Sequence, residues 1–520
     1  MNELNFSKED IKQIQAHNLT VDEVKKQIQQ FKKGVNYSNI HSAATVGDGI
    51  LVPAYLEVDE FIKSFDTAKD KISIVKFVPA SGAATRMFKF LFQFLRDYNP
   101  IIQSINAYIN KNELKELPLF LIALEKFSFY DKVLEQLSIN GVDYDSLNPN
   151  QQAFEFVKAM LDEEQLNFGS YPKGLFPFHK YNNDISTAFE EHLFEMAFYG
   201  SRKEPLKLHF TISEKHKDKF TKEFKRIEER VEEITGFPYE ISYSYQHKST
   251  DTIALNIDNE PFRNEDGSLY FRPSGHGALL KNLNAIDADM ISISNIDNVV
   301  VKHYKAEVAK YKKVLAGILL EIKPKVFDYI KQLKDLDLSE DKLNEIADFL
   351  SSKLNFSISK EFEKYSHKYK VEYLIEALNR PIRVCGMVKN EGELGGGPFW
   401  VKDEAGRLSL QIVESAQVNK KDKEQKRILA NATHFNPVDI VCSIKDYEGN
   451  TFDLQKFVNH KAAFITMKTK VGKDIKALEL PGLWNGSMAY WNSIFVEVPI
   501  LTFNPVKTVN DLLKPSHQLR

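Results

Sequence analysis

The stretch 70–92 constrains the fold most, because strand, turn and helix patterns follow one another within it. Residues 71–78 read Lys-Ile-Ser-Ile-Val-Lys-Phe-Val, an alternating, β-branched run that predicts a buried strand. Residues 80–84 include nothing larger than Ser and predict a tight turn. Apolar residues then recur at 88, 91, 92 and 95, which predicts a helix. A strand, small-residue turn and helix in this order direct free backbone N–H groups at an anion.

The residues of this turn are therefore candidate phosphate ligands: Ala80, Ser81, Gly82, Ala83, Ala84 and Thr85. Arg86, which we place in the first helical turn, would add a forked guanidinium group for phosphate oxygens. The segment is not a Walker loop, since no Gly-Lys-Ser/Thr follows, and it lacks the three glycines of a dinucleotide fingerprint. A tightly packed corner between strand and helix is the structural alternative.

Length, charge and cysteine usage exclude several classes of protein. A chain of 520 residues exceeds one ordinary core, so about two or three lobes are expected. A net charge of −3 gives no general drive toward nucleic acid or an anionic membrane. Cys385 and Cys442 lie outside any Cys-x-x-Cys or Cys/His array, so neither a disulfide framework nor a zinc site is expected. The polar N-terminus and the lack of a long apolar run predict a cytoplasmic protein without a membrane span.

The order of patterns predicts four segments. Residues 1–69 form an N-terminal helical segment, in which Ser7 and Thr20 are candidate helix caps. Residues 70–302 form the first part of an α/β core, with a helical insertion at about 91–165. Residues 303–378 form a second helical insertion, and residues 379–520 complete the core. Strand, helix and strand alternate over 206–246, which favours an open, mostly parallel sheet with helices on both faces.

Two loops carry residues that suggest a ligand. Lys173 lies in a Pro-punctuated, aromatic loop at 171–179, which favours a fixed position over a solvated lysine. Gly275, His276 and Gly277 directly precede a helical stretch, and glycines there let a backbone approach a flat ligand closely. The alternative for this second loop is a helix start with a chance histidine.

Asp297 follows the buried strand that begins at Met290. In open α/β sheets the carboxyl ends of the strands line the ligand crevice, and Mg²⁺ usually takes one or two carboxylates plus substrate phosphates. Asp297 is therefore a candidate Mg²⁺ ligand, and an Asx-type cap that ends the strand is the alternative. The Asp-x-Asp pattern at 287–289 lies before the strand, at the opposite end, and is interpreted as a polar loop that starts the strand.

The last third of the chain adds a sugar-side loop and further polar residues. Asn390, Glu391 and Gly396 belong to a glycine-rich stretch that suits a polyhydroxylated ligand, with a flexible surface hairpin as the alternative. Asn436 and Asp439 enter an apolar run and are candidates for a second metal ligand. Near the C-terminus, Pro505 and apolar neighbours limit the freedom of Lys507.

The order of these motifs resembles the UDP-sugar pyrophosphorylases, which include UDP-glucose and UDP-N-acetylhexosamine pyrophosphorylases. The matching pieces are the small-residue turn with Thr-Arg, the Pro-Lys-Gly loop, Gly-His-Gly, the Asn-x-Asp-Asn strand tip and the final Pro-Val-Lys-Thr-x-x-Asp-Leu-Leu. The tail looks particularly like the UDP-glucose branch. The whole chain looks more like an uncharacterised bacterial domain-of-unknown-function family that is a distant relative of these enzymes.

The resemblance implies a GT-A-like, Rossmann-like α/β fold, with a mostly parallel sheet flanked by helices. It also implies roles for single residues. The turn 80–84 with Arg86 resembles the nucleotide-phosphate loop, Lys173 the lysine of the Pro-Lys motif, and Lys507 the late lysine that meets the reacting phosphates. Gly275, His276 and Gly277 look like the motif beside base and ribose, Gln246 a base-contacting glutamine, and Asp297 the metal-binding aspartate. Asn390, Glu391 and Gly396 are assigned to the sugar side from composition and position.

The resulting hypothesis is an Mg²⁺-dependent transfer of a nucleotidyl group to a sugar 1-phosphate, with release of pyrophosphate. UTP is favoured as the donor through the resemblance alone. Two other classes stay open: a non-catalytic sugar-nucleotide-binding protein and a GT-A glycosyltransferase. The sequence departs from the enzymes in its first loop, which has fewer glycines than theirs, and in the insertion that separates Arg86 from Lys173.

Overall fold

The computed structural model describes residues 6–34, 36–182, 184–335, 337–392, 395–404, 406–470 and 473–519. The chain divides into two compact units. The first unit consists of Met1–Phe77, Ser244–Ile293 and Tyr311–Ile500, and the second of Val78–Tyr243, Ser294–Lys310 and Leu501–Arg520. Each unit gathers stretches that are far apart in sequence, whereas the predicted segments were continuous along the chain; the boundaries of those segments stay predictions.

The first unit is built on a large, mostly parallel sheet, which confirms the predicted α/β class. Four neighbouring strand pairs in it are parallel, and Ile382–Lys389 pairs antiparallel with His434–Ser443. Seven strands of this sheet begin in the first unit and lie in the order Thr45–Val46, Gly49–Leu51, Asn492–Glu497, Ile382–Lys389, His434–Ser443, Met290–Ser294 and Ile74–Pro79.

Helices cover this sheet on both faces. Strand Ile382–Lys389 is buried along all but its last residue, as expected for a strand with helices on both sides. Cys385 joins the core cluster that contains residues of helix Leu280–Asn284. Gly386, the next residue, faces the opposite way: a Cβ built there would lie 3.2 Å from Cδ1 of Leu315, in helix Lys302–Asp335. The period-two alternation of a strand thus places one helix on each face.

Smaller elements complete the first unit. Both caps predicted near the N-terminus are confirmed, because Ser7 accepts from the Asp10 amide and Thr20 from the Glu23 amide. Three strands form an antiparallel sheet in the order Ile40–Ala43, Gly396–Lys402, Leu408–Glu414, and two strand pairs are Thr252–Ile253 with Phe271–Arg272 and Phe464–Lys470 with Lys473–Glu479. The other helices of this unit are Lys8–Ala16, Val21–Lys33, Tyr55–Ala68, Glu340–Leu354, His367–Leu378 and Lys423–Ala430.

The second unit is mostly helical. Its helices are Lys89–Asp97, Ile105–Lys111, Glu116–Ile122, Tyr130–Ile139, Pro149–Leu161, Ala188–Met196 and Lys217–Thr235, and its strands are Pro177–Tyr181, Asp184–Thr187, Leu206–Ile212 and Tyr239–Tyr245. The strand, turn and helix predicted over 70–92 are present, but a 3₁₀ turn, Ala84–Phe88, precedes the α-helix. Arg86 therefore lies in this turn and not in the first α-helical turn. Within the described ranges, no helix is both long and apolar enough to cross a membrane.

Replacement of Gly317 by Ala should destabilise the first unit. Alanine is normally favoured over glycine inside a helix by about 1 kcal/mol. At this position, however, a Cβ would lie 2.1 Å from the carbonyl oxygen of Phe61, in helix Tyr55–Ala68. We expect a net loss of about 2 kcal/mol, the size of an overpacking effect, measured by chemical denaturation. Lys331→Ala on the exposed side of the same helix is the control and should change stability by less than about 0.5 kcal/mol; a stabilised Gly317→Ala variant would refute the close helix packing.

Candidate functional site

The small-residue turn of the second unit is hydrogen bonded to the Pro-Lys-Gly loop. The Ala80 amide donates to the Thr211 carbonyl at 2.8 Å and closes the turn at its start. The Lys173 amide then donates to the Gly82 carbonyl at 3.0 Å, and the Ala84 amide donates to Tyr171 at 2.9 Å. Two motifs separated by the helical insertion thus lie side by side, as the phosphate-site hypothesis requires.

The middle of this turn presents backbone donors to solvent. Ser81, Gly82 and Ala83 are exposed, and within the described ranges their N–H groups donate no hydrogen bond to the protein. A Cβ built at Gly82 would meet nothing within 4 Å. Successive free amides of this kind are what an anion-binding turn supplies. The Thr85 hydroxyl, by contrast, is used inside the protein, because it donates to the Gly169 carbonyl at 2.7 Å.

Asp297 lies just beyond the end of strand Met290–Ser294 and forms an ion pair with Lys173. The Lys173 Nζ atom donates to Asp297 Oδ2 at 2.6 Å, and the two side chains are 16 % and 22 % exposed. The alternative interpretation of Asp297 was an Asx cap. Among the described residues no backbone amide donates to its carboxylate, so that oxygen pair is directed at the lysine and at solvent. We call this contact the Lys173–Asp297 pair.

The C-terminal tail is hydrogen bonded to the same strand tip. The Val506 amide donates to the Asp297 carbonyl at 3.1 Å, and the Asn504 amide donates to Asn298 Oδ1 at 2.6 Å. Lys507 is the next residue along the chain, is exposed, and has its Nζ 5.6 Å from the centre of the Phe503 ring. The turn with Arg86, the loop with Lys173, the tip with Asp297 and the tail with Lys507 are therefore consecutive neighbours.

Asp511 fixes the backbone at Lys507. Its Oδ2 accepts hydrogen bonds from the amides of Lys507 and Thr508 at 2.8 and 2.7 Å. Burial raises the pKa of this carboxyl, but the hydrogen bonds from Lys514 and from the two amides outweigh burial and lower the pKa below its ordinary value. Asp511 thus stays ionised and serves the tail, and its carboxylate is already satisfied by these donors.

The predicted base-side residues belong to the first unit. The His276 ring stacks on Trp484 at 4.3 Å with an interplanar angle of 13°, and its Nδ1 accepts from the Leu483 amide at 2.9 Å. Gly275 has φ +80°, and a Cβ at Gly277 would lie 2.0 Å from the Pro481 carbonyl oxygen. The two glycines therefore let this segment pack closely against another backbone segment of the protein. Their contact with a base stays a prediction.

Gln246, the fourth base-side residue, has its Nε2 3.4 Å from Asp251 Oδ1. Asp251 also contacts His17 Nδ1 at 3.0 Å. Burial raises the pKa of Asp251, and the His17 contact opposes that shift. The side-chain amide of Gln246 is thus held by Asp251 of the same unit. Its contact with a base stays a prediction.

The sugar-side candidates are placed in different surroundings. Asn390 and Glu391 are exposed, and Asn390 lines a groove together with Thr45, Val46, Lys389, Thr433 and His434. Gly396, which the sequence places in a loop, is instead the buried first residue of strand Gly396–Lys402 and pairs with Glu414. The loop prediction was wrong here because the glycines serve strand packing: a Cβ at Gly397 would lie 2.9 Å from the His434 carbonyl oxygen.

The candidate metal ligands differ in their surroundings as well. Asp439 forms an ion pair with Lys312 inside the first unit, and both side chains are only 3 % exposed. The side chain of Asn436 lies outside the described part of the structure. Among the described residues no group of three or more His, Cys, Asp and Glu side chains is arranged for a metal ion. Of the predicted metal ligands, Asp297 has a partly exposed carboxylate at a strand tip, which fits Mg²⁺ only when substrate phosphates supply the other oxygens.

One polar cluster of the second unit lies outside the candidate site residues named from the sequence. Its members are His179, Glu191, Lys305 and His517, all of them buried. The only sequence signal for it is the position of His179 in the Pro-punctuated loop, and a buried lysine and glutamate cannot be told from surface ones by spacing alone.

A family model described as "Domain of unknown function (DUF4301)" matches residues 7–518 of this chain. The predicted membership of a domain-of-unknown-function family is thereby confirmed. No functionally curated protein matches the chain in sequence.

Solved structures similar to this chain include UDP-sugar pyrophosphorylases, the enzymes that the sequence motifs resemble. UDP-N-acetylglucosamine pyrophosphorylase from Trypanosoma brucei, in complex with an inhibitor, gives a TM-score of 0.49 at 11 % identity over 95 % of this chain and 74 % of that one. A putative UDP-N-acetylglucosamine pyrophosphorylase from Entamoeba histolytica gives 0.44 at 10 % identity, over 90 % and 84 %. A variant of UDP-glucose pyrophosphorylase from Leishmania major, in complex with UDP-glucose, gives 0.43 at 13 % identity, over 98 % and 79 %.

Replacement of Asp439 by Asn should destabilise the protein. Replacement of the aspartate removes the negative charge that faces the buried Lys312 ammonium group, and breaking a buried pair in this way costs about 3–5 kcal/mol. We expect a lower denaturant midpoint that Mg²⁺ does not change. The double variant Lys312→Met with Asp439→Leu removes both charges and should recover most of the loss. An Asp439→Asn variant of unchanged stability would contradict a structural role for the pair.

Proposed function

The chain belongs to the DUF4301 family, and we propose that it is a nucleotidyltransferase that transfers a nucleotidyl group to a sugar 1-phosphate and releases pyrophosphate. The proposed donor is a nucleoside triphosphate, with UTP favoured through the motif resemblance described above. The observation that carries the proposal is the row of hydrogen bonds in the second unit that joins Gly82 to Lys173, Lys173 to Asp297, and Asp297 to Val506.

This row gathers the groups that a triphosphate needs. Three free amides of the turn and the guanidinium group of Arg86 supply donors at one end, and Lys173 and Lys507 supply ammonium groups further along. Phosphate oxygens are bound by charge-assisted hydrogen bonds of these kinds. Asp297 is the carboxylate of the row and faces Lys173 directly. Cations on both sides of a single carboxylate favour a polyphosphate chain over a neutral ligand.

The reaction requires alignment of the reacting atoms and neutralisation of the negative charge on the phosphates. A phosphate oxygen of the sugar 1-phosphate is already ionised at neutral pH, so no general base is required. That oxygen forms a bond to the α-phosphorus, the bond from the α-phosphorus to the bridging oxygen breaks, and pyrophosphate leaves with the electron pair. In this proposal the turn amides and Arg86 hold the β- and γ-phosphates, while Lys173 and Lys507 stabilise the charge that builds up at the α-phosphoryl group.

Asp297 would hold Mg²⁺ together with phosphate oxygens of the substrate. The bound ion would neutralise charge on the phosphates. The single carboxylate fits this role because Mg²⁺ is bound largely through its substrate in such sites. Lys173 occupies one carboxylate oxygen at 2.6 Å, so its ammonium group would turn from the carboxylate to the phosphates when both ligands are present.

A sugar-nucleotide-binding protein without catalysis is the second candidate. The Lys173–Asp297 pair favours it, because a carboxylate that is already neutralised by a lysine has less need of a cation. Such a protein would bind the nucleotide and release no pyrophosphate, so one assay separates the two candidates.

The first test of the proposal is pyrophosphate release over a panel of nucleoside triphosphates and sugar 1-phosphates with Mg²⁺. Lys173→Met should lower turnover by on the order of 10²-fold, because one transition-state donor is lost. Lys180→Met is the matched control: this exposed lysine pairs with Asp131 at 2.7 Å and should leave turnover unchanged. Nucleotide binding without release for any pair would select the binding protein, and equal losses in both variants would contradict the role of Lys173.

A second test separates the carboxylate from the lysine through metal dependence. Pyrophosphate should raise the melting temperature of the wild type, and added Mg²⁺ should raise it further. Asp297→Asn should abolish only the increment due to Mg²⁺, since the amide cannot replace the carboxylate charge. EDTA should reproduce that loss in the wild type. A full Mg²⁺ increment in Asp297→Asn would remove Asp297 from the metal assignment, with Asp131→Asn, a surface carboxylate of the same unit, as the control.

A further inference from the structure

The second unit contains a buried row of hydrogen-bonded side chains that the proposed reaction does not use. His179 Nδ1 lies 2.7 Å from Glu191 Oε1, and His179 Nε2 lies 2.9 Å from His517 Nδ1. His517 Nε2 lies 3.1 Å from the Asn504 carbonyl oxygen. The three side chains are between 0 and 2 % exposed. We call His179 and His517 the histidine dyad.

The contacts of the dyad fix how many protons it carries. Its two outer nitrogens face a carboxylate and a carbonyl, which only accept hydrogen bonds, so both must carry a proton. The inner contact between the rings requires one more proton. Three protons are therefore needed, whereas two neutral imidazoles hold two. The dyad thus carries one additional proton and one positive charge.

The groups that face the dyad place this charge on His179. Glu191 Oε2 forms an ion pair with Lys305 Nζ at 2.6 Å, and Glu191 Oε1, which faces His179, also accepts from the Tyr181 hydroxyl at 3.0 Å. Burial acts to raise the pKa of Glu191, but Lys305 and His179 outweigh it and hold the pKa below its ordinary value. Burial lowers the pKa of His517 to about 3, and the charge of His179 acts in the same direction. The imidazolium therefore lies against the ionised carboxylate.

The dyad connects the two lysines of the candidate site through the backbone. His179 lies in strand Pro177–Tyr181, directly after the turn that holds Lys173. At the other end, His517 binds Asn504, three residues before Lys507. The Asn504 amide donates in turn to Asn298, the neighbour of Asp297. A continuous series of hydrogen bonds therefore runs from the buried Glu191 carboxylate, through the dyad, to Asn504 of the tail and Asn298 of the strand tip.

Given the phosphate site proposed above, we propose that the protonated His179–His517 dyad fixes the tail so that Lys507 meets the phosphates. Both histidines are positioning residues: neither contacts the turn amides, Arg86, Lys173 or Asp297 in the hydrogen bonds of the described structure. The substitution His517→Phe keeps a ring at this position but removes its nitrogens. The Asn504 carbonyl and His179 Nε2 then lose their hydrogen-bond partner, so the tail is held less firmly.

A double-mutant cycle on pyrophosphate affinity tests this coupling. His517→Phe and Lys507→Ala should each weaken binding by about tenfold, the size of one charge-assisted hydrogen bond. If His517 acts by placing Lys507, the double variant should bind pyrophosphate as tightly as the single variant with the lower affinity. Additive losses, about a hundredfold in total, would overturn the proposal and leave the phosphate site intact. His209→Phe is the control, a buried histidine of the same unit whose Nδ1 lies 2.8 Å from Ser242 Oγ.

Two further measurements test the dyad without any need for pyrophosphate binding. A wild type that binds no pyrophosphate would refute the proposed function, but these measurements would still decide the proposal about the dyad. Nitrogen-15 shifts of histidine side chains at neutral pH should show one imidazolium ring and one neutral ring for the dyad, assigned by comparison with His517→Phe. Two neutral rings would overturn the proton count.

Hydrogen exchange in the peptide over 502–508 should be faster in His517→Phe than in the wild type and His209→Phe, because the Asn504 and Val506 amides lose their support. Equal exchange in all three proteins would overturn the positioning role.

Discussion

The candidate site depends on one ion pair, between Lys173 and Asp297, because it joins two motifs that the chain keeps far apart. On the lysine side, the backbone is held by Gly82 of the small-residue turn, and on the aspartate side the backbone is held by Val506 of the tail. Each neighbouring contact is a main-chain hydrogen bond, which specifies position more strictly than the long side chains could. The pair thus closes a row in which the turn, the loop, the strand tip and the tail are joined before any ligand is present.

This pre-organisation matters for the chemistry that we propose. A reaction without a general base gains its rate from the placement of charges, and charges placed in advance need not be reorganised when the substrate reacts. The cost is that cations gathered in one place repel one another. Asp297 lowers that repulsion in the unliganded protein, and the carboxylates of Asp511 and of the buried Glu191 anchor the tail and the histidine dyad. Carboxylates around the site therefore serve to hold cations in position.

The sequence predicted the local elements and the order of the motifs well, because each depends on residues close together in the chain. The strand and helix around Gly82 follow from periodicity, and the capping of Ser7 and Thr20 follows from a three-residue spacing. The adjacency of the motifs in the second unit came from resemblance and not from any local pattern. The buried dyad could not be predicted, because a histidine–carboxylate contact between residues 179 and 191 is set by tertiary packing. Gly396 was placed in a loop because consecutive glycines favour turns, yet the close approach of the next residue, Gly397, to the His434 carbonyl also requires glycine.

Two of the lysine–aspartate pairs, Lys312–Asp439 and Lys173–Asp297, show how exposure separates a structural contact from one that a ligand can replace. In the Lys312–Asp439 pair both side chains are 3 % exposed, so neither charge can leave without taking the opposite charge away from its partner in a poorly solvated interior. In the Lys173–Asp297 pair, exposures of 16 % and 22 % allow water or an incoming ligand to replace either partner. A pair in partial contact with solvent gains little stability from its attraction, so it can be exchanged at small cost. The same two residue types therefore stabilise the fold in one place and, in the site that we propose, can exchange their contact for a phosphate ligand in the other.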